Sequence, residues 1–407
     1  MTQDSIGERK KAQKPEPAKD TDSESLLGDT DFKEAFGEDL KSTLDIDKWA
    51  TGIDWESAVA RFDTEVAAAV GQEQRLRQTI RDEVLPRLGH TPHALPEAGV
   101  YRAQAAELTT VHDGLLFPGR TEAVDGTSVS YDSLPIGITQ IGIAVVSYGG
   151  TSATFAQRIF RKEIAAKSGD AFAEAMDLIK KRDTRQGVGQ GDKISELARR
   201  GIMTFAERKI LLDKSSAEWR IGHGNPCPYE LLTGSGSMEL LEASLKTLRR
   251  LIMEQKKFLF VPSAPGERAL LTIGNALDAG EYAIIDSIED KCHEIVENGH
   301  YAKKHKEHAE EFVKECGPKV LRGMFRASPN SPPYLFYAHR EHVHLAARLA
   351  LADSILRPER GFPMLIDVAD VTCRSAFGAD GFLGLIHDAY ARAGGTLQYF
   401  GERETRR

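Results

Sequence analysis

The chain has 407 residues, of which 41% are hydrophobic and 28% are charged. This length suits about two folding units, and the composition excludes a wholly disordered chain, a collagen and a disulfide-stabilised miniprotein. The net charge of -8, from 61 acidic and 53 basic residues, argues against a protein that coats nucleic acid through bulk charge, although a local basic groove remains compatible with it.

The sequence carries no sign of export or of a membrane anchor. No apolar run approaches the roughly 20 residues that cross a bilayer, and the first residues contain no apolar stretch of the secretory type. The four cysteines lie far apart without a CxxC pair, which favours reduced thiols over a zinc finger or a disulfide framework. We therefore expect a cytoplasmic protein that makes no contact with a membrane.

Three regions differ in composition. Residues 1–45 are rich in charged residues, Ser and Pro, and we expect a disordered tail. Residues 46–99 contain a long amphipathic helix, over residues 54–88, followed by a linker. The apolar stripe of this helix steps by three and four residues and favours packing or dimerisation: Trp55, Val59, Phe62, Val66, Val70, Leu76, Ile80 and Val84. Residues 100–407 form the third and main region.

The main region predicts an α/β domain. Its first elements are strands at 121–125, 136–148 and 155–164, helices at 170–182 and 194–212, a strand at 219–223, a helix at 238–255 and a strand at 258–261. The order β-β-β-α-β-α-β predicts an antiparallel meander followed by right-handed crossovers to parallel neighbours in one mixed sheet. This is the order of the ribonuclease-H-like fold. The later part adds strands near 282–285, 320–325 and 334–339, and flanking helices near 288–316, 345–356, 364–377 and 381–393.

An Asp-Gly pair follows the first apolar strand of this region. Asp125 and Gly126 precede two hydroxyl residues, Thr127 and Ser128. A carboxylate on a rigid strand end suits the bridging of two divalent cations about 4 Å apart, as two-metal phosphodiester hydrolysis requires. An Asp-Gly pair is equally typical of a turn, so both interpretations stay open on spacing alone.

Further candidate groups follow downstream. Glu207 lies on a helix that would cross back over the first strands, and Asp213 on the same helix is a weaker candidate; the alternative is a solvated helix acid. His223 ends the next strand within a glycine turn, where it has either a structural role or a role as metal ligand or general base.

Two acids, Asp367 and Asp370, open a late helix on one face. They suit a metal site, and they equally suit the positive end of the helix dipole. A third cluster contains His339, His342 and His344, but its spacing does not favour a tetrahedral zinc site, and we expect contact with phosphate or solvent instead. No GxxxxGK[ST] motif occurs, so we do not expect P-loop ATP hydrolysis.

Four motifs together resemble the NurA nuclease family over roughly residues 110–395. They are AVDGTS around Asp125, the helix that carries Glu207, HGNPCPYELL from His223 onward, and GFPMLIDVAD, which ends at Asp370. The resemblance implies a ribonuclease-H-like, Mn²⁺- or Mg²⁺-dependent DNA nuclease that dimerises and works with HerA, a hexameric ATP-driven translocase. It assigns the first metal carboxylate to Asp125 and the helix acid to Glu207. His223 stands where the family usually has Asp, and Asp370 where many members have His.

The sequence thus predicts a two-metal DNA nuclease. Asp125, Glu207, His223 and Asp370 are the candidate catalytic residues, and Asp125, Glu207, Asp367 and Asp370 are the candidate metal ligands. We expect DNA, a HerA-like ATPase hexamer and a second copy of the chain as partners, in DNA end processing or anti-phage defence. Two alternatives stay open: a catalytically degenerate adaptor that binds and regulates the ATPase, and a ribonuclease or other phosphodiesterase.

Overall fold

The computed structural model describes residues 29–49, 55–131, 136–161, 169–184, 197–264, 268–299, 301 and 303–395. The described residues divide into two compact units, with the boundary after Gln72. The helices, in chain order, are α1 (Asp29–Phe36), α2 (Leu40–Leu44), α3 (Trp55–Thr79), α4 (Ala105–Val111), α5 (Ala171–Thr184), α6 (Met203–Asp213), α7 (Tyr229–Leu232), α8 (Met238–Arg249), α9 (Arg268–Gly274), α10 (Glu289–Glu297), α11 (Lys303–Cys316), α12 (Val343–Ser354), α13 (Met364–Phe377) and α14 (Ala379–Arg392).

The first unit holds α1, α2 and the beginning of α3. The predicted tail lies outside the described residues up to position 28, and from Asp29 onward it contains two short helices. On α3, Val59, Phe62 and Val66 of the predicted apolar stripe are exposed. Dimerisation through this face therefore stays a prediction.

The second unit is built on one nine-stranded sheet. Its strands are β1 (Gly99–Arg102), β2 (Thr121–Tyr131), β3 (Gly137–Val146), β4 (Ser152–Arg161), β5 (Trp219–His223), β6 (Phe258–Val261), β7 (Glu281–Ser287), β8 (Val320–Arg326) and β9 (Tyr334–His339). The strand order is β1-β7-β8-β9-β6-β5-β2-β3-β4. Strands β2, β3 and β4 are antiparallel, and β5 runs parallel to both β2 and β6. The structure therefore has the predicted α/β mixed sheet, in which hairpins give antiparallel pairs and helical connections give parallel ones.

Strand β2 does not end at Asp125, in contrast to the sequence prediction. It continues to Tyr131 and stays paired with β3, with Gly126 opposite Ile143 and Tyr131 opposite Ile138. Asp125 therefore lies inside a strand, and the Asp-Gly pair forms no turn. The physical reason is the ladder of hydrogen bonds to β3, which keeps the small and hydroxyl residues after Asp125 extended.

Helices cover both faces of the sheet. Alternate side chains of β2 point to opposite faces, so that Ala123 joins one hydrophobic core and Val124 the other. The first core includes buried residues of α4, α12 and α13. The second includes buried residues of α6, α8, α10 and α11. The candidate site thus lies in a sheet with helices on both of its sides.

The long helix ends earlier than predicted. Its α-helical part stops at Thr79 and continues as a π-helical turn, Ile80–Val84, and a 3₁₀ turn, Leu85–His90. Arg81 in this segment donates to Glu281 of β7 at 3.0 Å, and Ile80 is buried. These contacts attach the segment to β7, and residues 91–98 lead from it to β1, which begins at the last residue of the predicted linker.

The remaining described segments include further turns. The π-helical turns are at His112–Leu116, Leu197–Ile202 and Arg250–Gln255, and the 3₁₀ turns are at Ile46–Lys48, Gly234–Gly236, Gly317–Lys319 and Arg340–His342. The single helical region predicted over residues 288–316 consists of α10 and α11. All four cysteines are free and buried. Among the described residues, no helix is both long and apolar enough to span a bilayer.

Candidate active site

Asp125 and His223 lie side by side on neighbouring strands. Strands β2 and β5 are parallel, with Val124 opposite Gly222, so the next residue of each strand points to the same face of the sheet. The Nδ1 atom of His223 lies 3.4 Å from the Oδ1 atom of Asp125, and Asp125 is buried. The structure therefore brings together two predicted site residues that are far apart in the sequence.

The second ring nitrogen of His223 is engaged by Ser263, which follows β6. The backbone N–H of Ser263 donates to Nε2 at 3.3 Å, and the hydroxyl oxygen of Ser263 lies 2.9 Å from the same atom. In the neutral ring this arrangement leaves the proton on Nδ1, directed at Asp125. The hydrogen bond to Asp125 raises the pKa of His223 above its usual value, against the opposing effect of burial. The imidazole is thus held at both nitrogens.

Glu207 approaches the same strand from the opposite face. A Cβ atom added at Gly126 would lie 2.6 Å from the Oε1 atom of Glu207. Only glycine leaves room for this carboxylate over β2, because any other residue would place a methyl or larger group there. The Asp-Gly pair therefore has a structural explanation: Asp125 points to one face of the sheet, and Gly126 admits Glu207 on the other.

Burial dominates the electrostatics of Glu207. Burial, with a smaller contribution from the negative charge of Asp125, raises the pKa of this carboxyl to about 7, although Arg208 and the ring of His223 act in the opposite direction. Arg208 contacts the Glu207 carboxylate and also donates to the backbone oxygen of Asn225 at 2.6 Å. Arg208 therefore connects α6 to the loop that follows β5.

Asp367 and Asp370 lie on α13, which packs against β2, but both form ion pairs with arginines. Asp367 pairs with Arg360 at 2.9 Å and with Arg357 at 3.3 Å, and Asp370 contacts Arg374. Burial raises the pKa of Asp367, and Arg360, Arg357 and, more weakly, His223 act to lower it. The roles predicted for both acids stay predictions.

A buried carboxylate that no sequence pattern singled out holds the N-terminus of α13. Asp353, the penultimate residue of α12, accepts a hydrogen bond from the backbone N–H of Leu365 at 2.9 Å and one from the hydroxyl of Tyr148 at 2.5 Å. Burial raises the pKa of Asp353 to about 6. This network orients the helix that carries Asp367 and Asp370.

The other candidates from the sequence have structural partners away from these carboxylates. Asp213 forms ion pairs with Lys209 and with Arg250. His339, for which we expect contact with phosphate or solvent, is instead buried, and its burial lowers its pKa to about 4. His344 lies 3.1 Å from the hydroxyl of Tyr282. None of these contacts involves Asp125, Glu207 or His223.

The side-chain donor atoms of Asp125, Glu207 and His223 suit a divalent cation, although in this arrangement they do not surround a single metal position. Two buried carboxylates and an imidazole are appropriate ligands for Mg²⁺ or Mn²⁺. Burial, and to a smaller extent the charge of Asp125, raises the pKa of Glu207, and a bound cation would favour the charged form of this carboxyl. Among the described residues, three ligand atoms of His, Cys, Asp or Glu come within 4.8 Å of one another in one place, and that place is not this site. It is formed by Glu242, His305 and His308.

Three residues near the site were not selected from the sequence as site residues: Arg208, Ser263 and Cys373. The Sγ atom of Cys373 on α13 donates to the backbone oxygen of Gly142 at 3.2 Å. Burial raises the pKa of its thiol to about 12, and the Asp125 charge contributes to the same shift. Cys373 therefore lies close to Asp125 as a protonated, buried thiol. Of these three, only Ser263 could have been selected from the sequence. It follows a buried strand at the same edge of the sheet where the strand of His223 ends.

Comparison with known proteins gave structural similarities only. No protein-family model matches the sequence, and no curated protein sequence matches it. The NurA nuclease from Sulfolobus solfataricus is similar in structure, with 10% sequence identity and a TM-score of 0.43 over 82% of this chain and 98% of that chain. A NurA structure with manganese has 9% identity and a TM-score of 0.44 over 81% of this chain and 98% of that one. A NurA structure bound to dAMP and manganese has 8% identity and a TM-score of 0.39, with 78% and 93% covered. The family that the sequence motifs resemble is thus the family of these solved structures.

Proposed function

We propose that the protein is a metal-dependent DNA nuclease. One observation carries the proposal: β2 and β5 place Asp125 beside His223 on one face of the sheet, and α6 places Glu207 over Gly126 on the other, where burial and the charge of Asp125 raise the pKa of the Glu207 carboxyl. A buried carboxyl with a raised pKa is unfavourable in its charged form, and such groups cluster at functional sites. Binding of a divalent cation is the function that this donor set suits best.

In this proposal Asp125 and Glu207 hold the cations, with Asp370 or Asp367 as a further ligand once its arginine is displaced. Bound Mn²⁺ or Mg²⁺ would supply an activated water and stabilise the leaving oxygen of the phosphodiester. His223 is either a ligand or the general base. Asp125 orients its ring through Nδ1, which leaves Nε2, now facing Ser263, as the nitrogen that can accept a proton.

The experiment is DNA cleavage by the purified full-length chain in Mn²⁺ or Mg²⁺. We expect cleavage by wild type and a loss of at least about 10²-fold with Asp125→Asn or Glu207→Gln. The matched control is Asp213→Asn, which removes a carboxylate of α6 that pairs with Lys209 and Arg250. Equal cleavage by wild type and Asp125→Asn would overturn the catalytic assignment. RNA substrates in parallel test the alternative of a ribonuclease.

The proposed partners follow from the resemblance to NurA: a HerA-like hexameric ATPase and a second copy of the chain, in DNA end processing or in defence against phage. Copurification with the ATPase, and cleavage that depends on ATP in its presence, would support the partnership. Deletion of the gene is expected to reduce resistance to phage if the role is defence, and unchanged phage titres would count against that role.

A second candidate function is an adaptor that keeps the fold, binds the ATPase and does not cleave. The observation in its favour is that His223 occupies a strand end where an acid is usual for the resembled family, while Arg208 already contacts Glu207. Calorimetric titration with Mn²⁺ separates the two functions. Binding that Asp125→Asn abolishes supports the nuclease, whereas no binding, together with normal binding of the ATPase, supports the adaptor.

A further inference from the structure

A second group of metal-ligating side chains lies between α8 and α11. Glu242 on α8 accepts hydrogen bonds on a single oxygen, Oε1, from Nδ1 of His305 and Nδ1 of His308, both at 2.8 Å. The two histidines stand three residues apart on α11 and therefore share one face of that helix. None of the three belongs to the candidate active site.

The distances are those of hydrogen bonds, and they also come close to the spacing of ligand atoms around a metal ion. The three ligand atoms all lie within 4.8 Å of one another. In a tetrahedral zinc site with Zn–N and Zn–O distances of roughly 2.0–2.1 Å, two ligand atoms lie roughly 3.3 Å apart. Separations of 2.8 Å between the carboxylate oxygen and each imidazole nitrogen thus require only small side-chain movements to admit an ion.

The supporting helices hold these ligands in place. Leu241 and Leu245 on α8 and Phe312 and Val313 on α11 are buried in the same hydrophobic core. The side chains of Glu242, His305 and His308 themselves are 42%, 25% and 40% exposed, so an ion can reach them from solvent. The ligands therefore stand on two rigid elements at the surface.

We propose that Glu242, His305 and His308 bind one Zn²⁺ ion, with water as the fourth ligand. Two imidazoles and one carboxylate form a donor set that zinc uses, whereas Mg²⁺ and Ca²⁺ prefer oxygen ligands throughout. The ion joins α8 to α11 and replaces the two N–H protons that now face the carboxylate. The site is separate from the proposed nuclease centre in its residues and in the class of its metal.

The test uses the full-length chain, stripped with EDTA and titrated with Zn²⁺ in a calorimeter. We expect His305→Ala, His308→Ala and Glu242→Gln each to lose about one equivalent of bound zinc relative to wild type. Asp125→Asn, which alters the proposed nuclease site, is expected to retain this equivalent. The matched control is His293→Ala, since His293 is an exposed helical histidine paired with Glu297 at 3.2 Å.

Cobalt provides an independent readout. Co²⁺ bound by two imidazoles and a carboxylate in tetrahedral geometry gives visible d–d absorption, which we expect for wild type and His293→Ala and not for His308→Ala. Zinc is also expected to raise the melting temperature of wild type and of Asp125→Asn, and to leave that of His305→Ala unchanged. Glu242→Gln keeps the size of the side chain and tests the ligand if an alanine variant fails to fold. Undiminished zinc stoichiometry in folded Glu242→Gln and His308→Ala would overturn the proposal.

Discussion

The Nδ1 atom of His223 lies 3.4 Å from the Asp125 carboxylate, across two parallel strands. This contact makes the charge of the histidine depend on an acid that is distant in the sequence. A substitution at either residue therefore changes the electrostatic environment of the other.

Removal of the Asp125 charge should lower the pKa of His223. Asp125 raises this pKa above 6.5 through a hydrogen bond and through its charge. A raised pKa in the folded state contributes stability below the unfolded value, and this stability is lost as the pH rises through the folded value. With Asp125→Asn we expect the His223 imidazole signals to titrate at lower pH in an NMR experiment, and the loss of stability above pH 6.5 to become shallower. Asp213→Asn should change neither, and an unaltered His223 titration in Asp125→Asn would show that the pair does not form.

Glu207 should make the fold less stable as the pH rises. Its pKa in the folded protein is about 7, against 4.5 for the unfolded carboxyl. The stability that this group contributes is therefore present below pH 4.5 and is lost between pH 4.5 and about 7. In urea unfolding from pH 5 to pH 8, we expect the free energy of unfolding of wild type to fall relative to Glu207→Gln by about 1–3 kcal/mol. Parallel pH profiles would contradict the assignment, and Asp213→Asn again serves as the control because its carboxyl has a lowered pKa.

A methyl group at Gly126 should displace Glu207. The added Cβ would lie 2.6 Å from Oε1 of Glu207 and 3.0 Å from Met203 and Ile143. We expect Gly126→Ala to destabilise the protein by about 1–3 kcal/mol and to reduce cleavage more than this loss of stability explains. Gly384→Ala is the matched control, because a Cβ there meets no atom within 4 Å and alanine favours the exposed helix α14. Full activity of Gly126→Ala would show that the position of Glu207 is not needed.

The buried carboxyl of Asp353 should anchor α13. Tyr148→Phe removes the hydroxyl that donates to it at 2.5 Å, and Asp353→Ala also removes the acceptor of the Leu365 N–H. We expect a loss of about 1–3 kcal/mol for Tyr148→Phe and a larger loss for Asp353→Ala, which leaves two buried donors without a partner. Chemical denaturation measures both. A similar loss for the two variants would show that the Leu365 contact contributes little.

Much of the fold is predictable from local pattern. Alternating and β-branched residues identified the strands that became β2 to β9, and apolar spacing identified α6, α8 and α13, because the order of residues determines which face of an element is apolar. The four-residue β6 was found because all of its residues are apolar and buried, whereas β1, with four residues of mixed character, and α4 and α9, with seven residues each, were not found. Strand pairing decided the true end of β2, since a hydrogen-bonded neighbour keeps Gly126 and the residues after it extended.

For the candidate site, the sequence determined which groups have the right chemistry: Asp125, Glu207 and His223 were all selected from it. The tertiary structure alone decided which of them meet, because the register of β2 with β5 places Asp125 beside His223, and Gly126 admits Glu207 from the other face. It also decided the arginine partners of Asp367 and Asp370, and the meeting of Glu242 with His305 and His308 between two helices. Distances of a few ångströms between residues far apart in the chain depend on how sheets and helices pack, and no local pattern of residues encodes them.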